Sequence, residues 1–405
     1  MPPNRGGRGD WENMAAAAQE NIKKSWLEAN PKKTIVLILV IFLAATTLIT
    51  EKVLAYLNHS QKMVLFTERR YINLREFPPL LDTVEIPQTK SVNEADGLVQ
   101  KEYRIRTDSH GFILPYKRYP KPDATLVFLG GSTTVCMFME EEDRFPYLVG
   151  NMLEKETGVK VTSINSGVNG NNTLHSLDIL LNKVIPLKPD VVVMMETIND
   201  LIVLIYDRTY WNHNSSKAPI VEFSFYKNLK GMRALTTLAR DTYIPNLHAA
   251  IRVLSHKMFG KDRDPDDEFA QERGKKKELH LAEMAGEFKM NLQTFINICR
   301  ARKITPVLMT QFNRVKANPD EKIRKILQKF AFDTKVPVSQ FKEIYDKFNE
   351  AIVEVGKAND VLVIDLARLI PQEPAYMYDL VHLKPAGSHL AARIISDHLQ
   401  KLVAP

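Results

Sequence analysis

The sequence has almost no cysteine. Two residues in 405, Cys136 and Cys299, cannot build a disulfide framework, and no CxxC pair or Cys/His cluster offers zinc ligands. Both lie in segments that read as helical, where a small buried side chain is the expected role. An excess of one charge is missing as well. The formal net charge is +7, and the first 62 residues, with eight Lys/Arg against five Asp/Glu, hold +3 of it. The rest is spread thinly, without a basic stripe interleaved with aromatics, so no nucleic-acid partner is expected. At 44% hydrophobic and 25% charged residues, the composition suits one large globular domain with additions, or two domains.

Long apolar runs are absent with one exception. "TIVLILVIFLAATTLIT", Thr34 to Thr50, is 17 residues without a charge, and "EKVLAYL" extends it. At 1.5 Å per residue such a helix crosses a hydrocarbon core, and it lacks the amphipathic stripe of a buried core helix. The 33-residue polar lead is long for a cleaved signal peptide, and no small-x-small site follows. Lys23, Lys24, Lys32 and Lys33 precede the span, whereas only Lys52 and Lys62 follow it at similar distance. The positive-inside rule then makes 1–33 a cytoplasmic tail and 34–57 a single-pass signal anchor in the cell membrane. Residues 58–100 read as a stalk and linker, and 101–405 as a domain on the periplasmic side.

That outer part alternates regularly. Strands are expected at 125–129, 159–165, 190–196, 305–310 and 361–365, with helices between them and a closing helix from Ala386. The strands are short, continuous and apolar, as in a parallel sheet covered on both faces. The expected fold is therefore α/β: a five-stranded parallel sheet sandwiched by helices in three layers, flavodoxin-like, preceded by one transmembrane helix. Two interruptions break the rhythm. Residues 201–285 form an insertion with an aromatic start, and 312–337 carry "PDEKIRKILQKF", a short amphipathic helix. Both leave the carboxyl edge of the sheet, where open α/β sheets bind ligands.

Polar residues gather at those carboxyl ends. "VFLGGSTTVC" (127–136) presents Ser132 after two glycines, "NSGVNGNN" carries Gly170, "TIND" carries Asn199, and "YDLVHLKPAG" carries Asp379 and His382. Acyl transfer needs a hydroxyl nucleophile, an imidazole to take its proton, a carboxylate to orient the imidazole, and donors for the oxyanion. Asp379 and His382 are three apart, so a turn can place the carboxylate under the ring nitrogen facing away from serine. Gly170 lets a backbone N–H approach the substrate oxygen, the Asn199 amide is a second donor, and the Ser132 N–H a third. His389 and His398, on the closing helix, read as packing or surface residues. Aromatic residues that open the insertion (Tyr206, Tyr210, Trp211, Phe223, Phe225 and Tyr226) either pack a subdomain or wall a pocket over Ser132.

With these blocks in hand, residues 100 to 402 resemble the SGNH hydrolases, the GDSL-type esterase/lipase superfamily. "GGST", "NSGVNG", "TIND" and "DLVH" stand in family order, and "YRIRTDSHGFILP" resembles the lead-in of bacterial membrane-anchored members. The resemblance implies a serine esterase domain at 101–405. It makes Ser132 nucleophile, His382 base and Asp379 its orienting acid, with Gly170 and Asn199 in the oxyanion hole. No metal or organic cofactor is implied. The expected partner is an acyl-ester substrate, either an acylated polysaccharide or a lipid, and transfer of the acyl group to a cell-surface polysaccharide is the alternative to hydrolysis. A non-catalytic binding protein on the same fold is the third reading. Gly131 replaces the aspartate of Gly-Asp-Ser, and Thr197 replaces a glycine two residues before Asn199. A GxSxG elbow is absent because position 134 is Thr, which excludes the other common esterase motif.

Overall fold

The computed structural model describes residues 25–57, 69–72, 74–212, 217–223 and 278–403, with positions 243–244, 246–247, 251 and 274–275. The chain divides into two compact units, Met1–Arg69 with Glu222–Pro265, and Arg70–Val221 with Asp266–Pro405.

The larger unit is built on five parallel strands: β1 (Ala124–Gly130), β2 (Val161–Asn165), β3 (Val191–Met195), β4 (Thr305–Met309) and β5 (Leu362–Ile364). Their order across the sheet is β2-β1-β3-β4-β5. The order reverses between β1 and β3, which makes the crevice at their carboxyl ends the switch point where such sheets bind ligands. Register keeps these ends level, with Phe128 opposite Asn165 and Gly130 opposite Met195.

Side-chain alternation along the strands feeds two separate cores. Leu126 and Phe128 of β1 and Val191 and Val193 of β3 face one way, onto Phe145, Val149 and Leu153 of α1 (Phe145–Thr157) and Ile395 and Leu399 of a C-terminal helix (Pro385–Val403). Val127, Leu129, Val192 and Met194 face the other way. They meet α2 (Thr173–Ile179), α3 (Ile198–Asp207), α4 (Leu281–Ala301), α5 (Glu321–Thr334) and α6 (Val338–Ala358). Three layers result, as the apolar strands require. α1 stops at Gly158, whose φ of +76° is the left-handed end that glycine tolerates best.

Two segments hold more structure than their sequence suggests. α3 runs straight on from "TIND" because Leu201, Val203, Leu204 and Ile205 are all buried. Within the expected linker, Asp82–Glu85 pairs antiparallel with Tyr103–Arg106, and a short helix follows at Thr89–Glu94.

The smaller unit contains one long helix, Pro31–Leu57, about 40 Å at 1.5 Å per residue. Residues Pro31–Tyr56 are long and apolar enough to cross a membrane. Thr46, Thr47 and Thr50 donate their hydroxyls to the carbonyls of Phe42, Leu43 and Thr46, each at 2.8 Å, so these polar groups are satisfied inside the helix. Near its end, buried Glu51 accepts from the Asn246 backbone, the Asn246 side chain and the Leu247 backbone at 3.1, 2.7 and 2.8 Å.

Candidate active site

β1 ends at Gly130, and a single helical turn, Ser132–Val135, follows Gly131. A Cβ on Gly130 would stand 2.1 Å from Thr134 Oγ1 and 2.7 Å from the Met195 carbonyl oxygen. One on Gly131 would stand 2.5 Å from Asn199 Nδ2 and 3.1 Å from the Asn171 carbonyl oxygen. The turn that lifts Ser132 is thus packed too tightly for side chains before it.

Ser132 Oγ lies 2.8 Å from His382 Nε2, and His382 Nδ1 lies 2.7 Å from Asp379 Oδ2. Asp379 Oδ1 accepts from the backbone N–H groups of Val381 and His382 at 3.0 and 2.8 Å, so the carboxylate is fixed by its own turn. With Nδ1–H donating to Asp379, the Nε2 lone pair faces the serine hydroxyl. Burial works to raise the Asp379 carboxyl, but the His382 charge, its hydrogen bond and the two backbone donors hold it below the usual range. Burial likewise works to lower the His382 imidazole, and Asp379 overrides it, so the ring titrates above its ordinary value.

Gly170, at φ +76°, borders the same cavity as Ser132, Asp379 and His382. Arg75 grips the loop on both sides of it, Nη2 donating to the Asn169 carbonyl and Nε to Asn171 Oδ1, both at 3.0 Å. Asn199 does not line the cavity. It stands behind Gly131 and donates one Nδ2 hydrogen to the Asn171 carbonyl at 2.8 Å, leaving the amide nitrogen against the Ser132 turn. Thr197 does not narrow the site, because its hydroxyl points to the Glu196 carbonyl and Asn349.

Sequence reading missed a pair of buried acids behind this turn. Glu196 Oε1 accepts from Ser176 Oγ at 2.8 Å, and Asp200 Oδ1 accepts from the Thr173 backbone, the Thr173 hydroxyl and the Tyr210 hydroxyl. The second oxygen of each carboxyl has no hydrogen-bond partner. Burial, and then the neighbouring Asp200, pushes Glu196 well above the carboxylate range, and burial pushes Asp200 up to about 6. His175 sits nearby as a neutral ring. Burial, with Arg75 adding to it, lowers it to about 3, and its Nδ1 accepts the Asn172 N–H while Nε2 meets the Lys217 carbonyl. Only their place at strand and helix ends hinted at these groups.

Two of the aromatic residues that open the insertion take the packing role. Tyr206 and Tyr210 are buried, Tyr210 donating to Asp200 at 2.7 Å, and Trp211 is exposed. None of the three lines the cavity. The Phe223, Phe225 and Tyr226 side chains lie outside the described residues. His389 and His398 are exposed on the last helix, as expected. Among the described residues, no group of three or more His, Cys, Asp or Glu side chains has the arrangement to hold a metal ion.

A serine–imidazole–carboxylate relay at the switch point of a doubly wound sheet defines the protein as an ester-hydrolysing enzyme of the SGNH type. A model of the GDSL-like lipase/acylhydrolase family matches residues 128–390, and the chain belongs to that family. Similar solved structures include an acetylxylan esterase from Geobacillus stearothermophilus, 16% identical, with 68% of this chain and 94% of that chain covered and a TM-score of 0.39. A lipase/acylhydrolase from Enterococcus faecalis is 17% identical over 69% of this chain and 96% of its own, with a TM-score of 0.37. No curated protein matches the sequence.

Proposed function

We propose that the chain is a membrane-anchored serine ester hydrolase that cleaves an acyl ester of a lipid or carbohydrate outside the cytoplasmic membrane. The relay of 2.7 and 2.8 Å from Asp379 through His382 to Ser132 carries this reading. Ser132 Oγ attacks the ester carbonyl carbon as its proton passes to His382 Nε2. Asp379 holds the Nδ1 proton and steadies the imidazolium that forms. The carbonyl oxygen becomes an oxyanion that the Gly170 N–H, the Ser132 N–H and Asn199 Nδ2 receive. Collapse expels the alcohol, which takes the proton from Nε2, and leaves the acyl group on Ser132. Water then repeats the sequence in reverse roles, releasing the acid and the free serine.

The anchor reading rests on the apolar helix Pro31–Tyr56 and on Lys23 and Lys24 ahead of it with Lys32 and Lys33 in its first turn. The relay is tested with a fluorophosphonate probe and p-nitrophenyl esters on the detergent-solubilised chain. Labelling at Ser132, with loss of both labelling and hydrolysis in Ser132→Ala, is the expected result. Labelling that survives the substitution overturns the assignment of the nucleophile.

A further inference from the structure

A cavity of about 500 Å³ opens beside Ser132, a volume within the range of small-molecule sites. One end holds Ser132, Gly170, Asp379 and His382. Away from that end the buried and half-buried walls are apolar, with Ala95, Leu98, Phe138, Met139, Tyr378 and Leu383 on them, while Ser91 and Glu94 border the cavity from exposed positions. Ala95, Leu98 and Tyr378 are buried together, with Val92 and Phe138 packed against them, in a cluster separate from the two cores that flank the sheet. This third cluster therefore faces the reaction centre instead of joining layers. No lysine or arginine stands among the lining residues, which disfavours an anionic group inside.

Ala95 and Leu98 come from a segment ahead of the family match, which begins at residue 128. It is fixed in place at several points. The Asp96 N–H donates to the Tyr378 carbonyl at 2.6 Å. Buried Arg314 joins Asp96 Oδ2 at 2.7 Å to Asp320 Oδ2 at 2.6 Å, and Lys322 donates to the Ala95 carbonyl. The wall is thereby tied to Tyr378, whose neighbour Asp379 belongs to the relay.

We propose that this segment is a specificity-determining wall of an acyl-chain pocket, with Ala95 and Leu98 setting the depth available to an apolar acyl group well longer than acetyl. The inference rests on the ester-hydrolase reading above and adds the acyl class to it. An acetyl group leaves the apolar wall untouched, whereas each methylene that the wall covers favours the longer ester by roughly fourfold in kcat/KM.

The test compares p-nitrophenyl acetate and octanoate on the full chain in detergent, as the ratio of their kcat/KM values. The wild-type ratio, octanoate over acetate, should exceed about tenfold, and Leu98→Trp or Ala95→Leu should each lower it at least about tenfold by filling the depth of the pocket. Fluorophosphonate labelling of Ser132 in each variant reports that the site is assembled. The smaller change at Ala95 serves where the tryptophan prevents folding. Unchanged ratios in labelled variants, or a wild type that prefers acetate, overturn the pocket while leaving the esterase reading standing. A wild type that hydrolyses neither ester and takes no label overturns both.

Discussion

The Tyr378 ring lies face to face with the His382 imidazole, centroids 5.5 Å apart and planes 8° from parallel. The imidazole is thus held on its flat side by Tyr378, on one edge by Asp379 and on the other by Ser132. A stacked phenol also favours the imidazolium that appears as serine attacks.

Asp379 is what lifts the imidazole against the pull of burial, so the acid limb of the kcat/KM profile should lie above the ordinary histidine value of 6.5. The rate falls as pH drops through that limb, because a protonated His382 cannot take the serine proton. Asp379→Asn should lower kcat by about 10⁴-fold and move the limb toward acid. A steady-state profile from pH 4 to 9 measures both. A limb that stays in place in the variant means another group governs it.

Asn199→Ala should act on turnover. In the proposed oxyanion role, the Nδ2 hydrogen that Asn199 does not give to the Asn171 carbonyl meets charge that exists only in the transition state. Its loss should therefore cost roughly 10²- to 10³-fold in kcat, with KM little changed. Kinetics on one soluble ester decide it. If KM rises and kcat holds, Asn199 binds substrate and does not serve the oxyanion.

The five parallel strands, and the blocks that meet at their carboxyl ends, were legible because each rests on local pattern. Five apolar runs announce a covered sheet, and Ser132, Asp379 and His382 sit in short blocks at strand ends. The cavity wall was not legible. "IPQTKSVNEADG" has no periodicity, and its hold on the site comes through Arg314, 218 positions away from Asp96. The aromatic residues after Asn199 suggested a wall, yet Tyr210 turns inward to satisfy Asp200. Glu196 was overlooked because an acid at the end of a strand reads as a cap. Its burial arises from Ser176 and the Gly131 turn, both distant in sequence.

The anchor makes a topological prediction. In the proposed orientation, with the lysine-rich N-terminus inside, protease added to intact spheroplasts should digest residues 58–405 while sparing the span. An epitope fused before Met1 should resist the protease until the membrane is opened. Digestion of that tag in intact cells reverses the orientation.

Glu196 gives the last prediction. Its Oε2 stands 3.6 Å from where a Gly131 Cβ would be, buried and without a hydrogen-bond partner, with Asp200 close enough to repel a second negative charge. Burial, then Asp200, raises its pKa, whereas the Ser176 hydrogen bond and Lys217 oppose the rise. The folded protein therefore keeps a proton that the unfolded chain releases. Stability from the neutral acid is fully present below the ordinary carboxylate value of 4.5 and is lost as pH rises toward the raised one, with Asp200 adding a similar loss between 3.8 and about 6. Glu196→Gln removes the ionisation and keeps an oxygen for Ser176. The wild-type Tm should decline as pH rises above 4.5, and the variant should decline less. A difference of one pKa unit is worth about 1.4 kcal/mol, or roughly 2–4 °C in a domain of this class. Thermal melts of both proteins across that range read the effect directly. Parallel curves would show that Glu196 stays charged in the folded protein and that the Gly131 turn does not rest on a neutral acid.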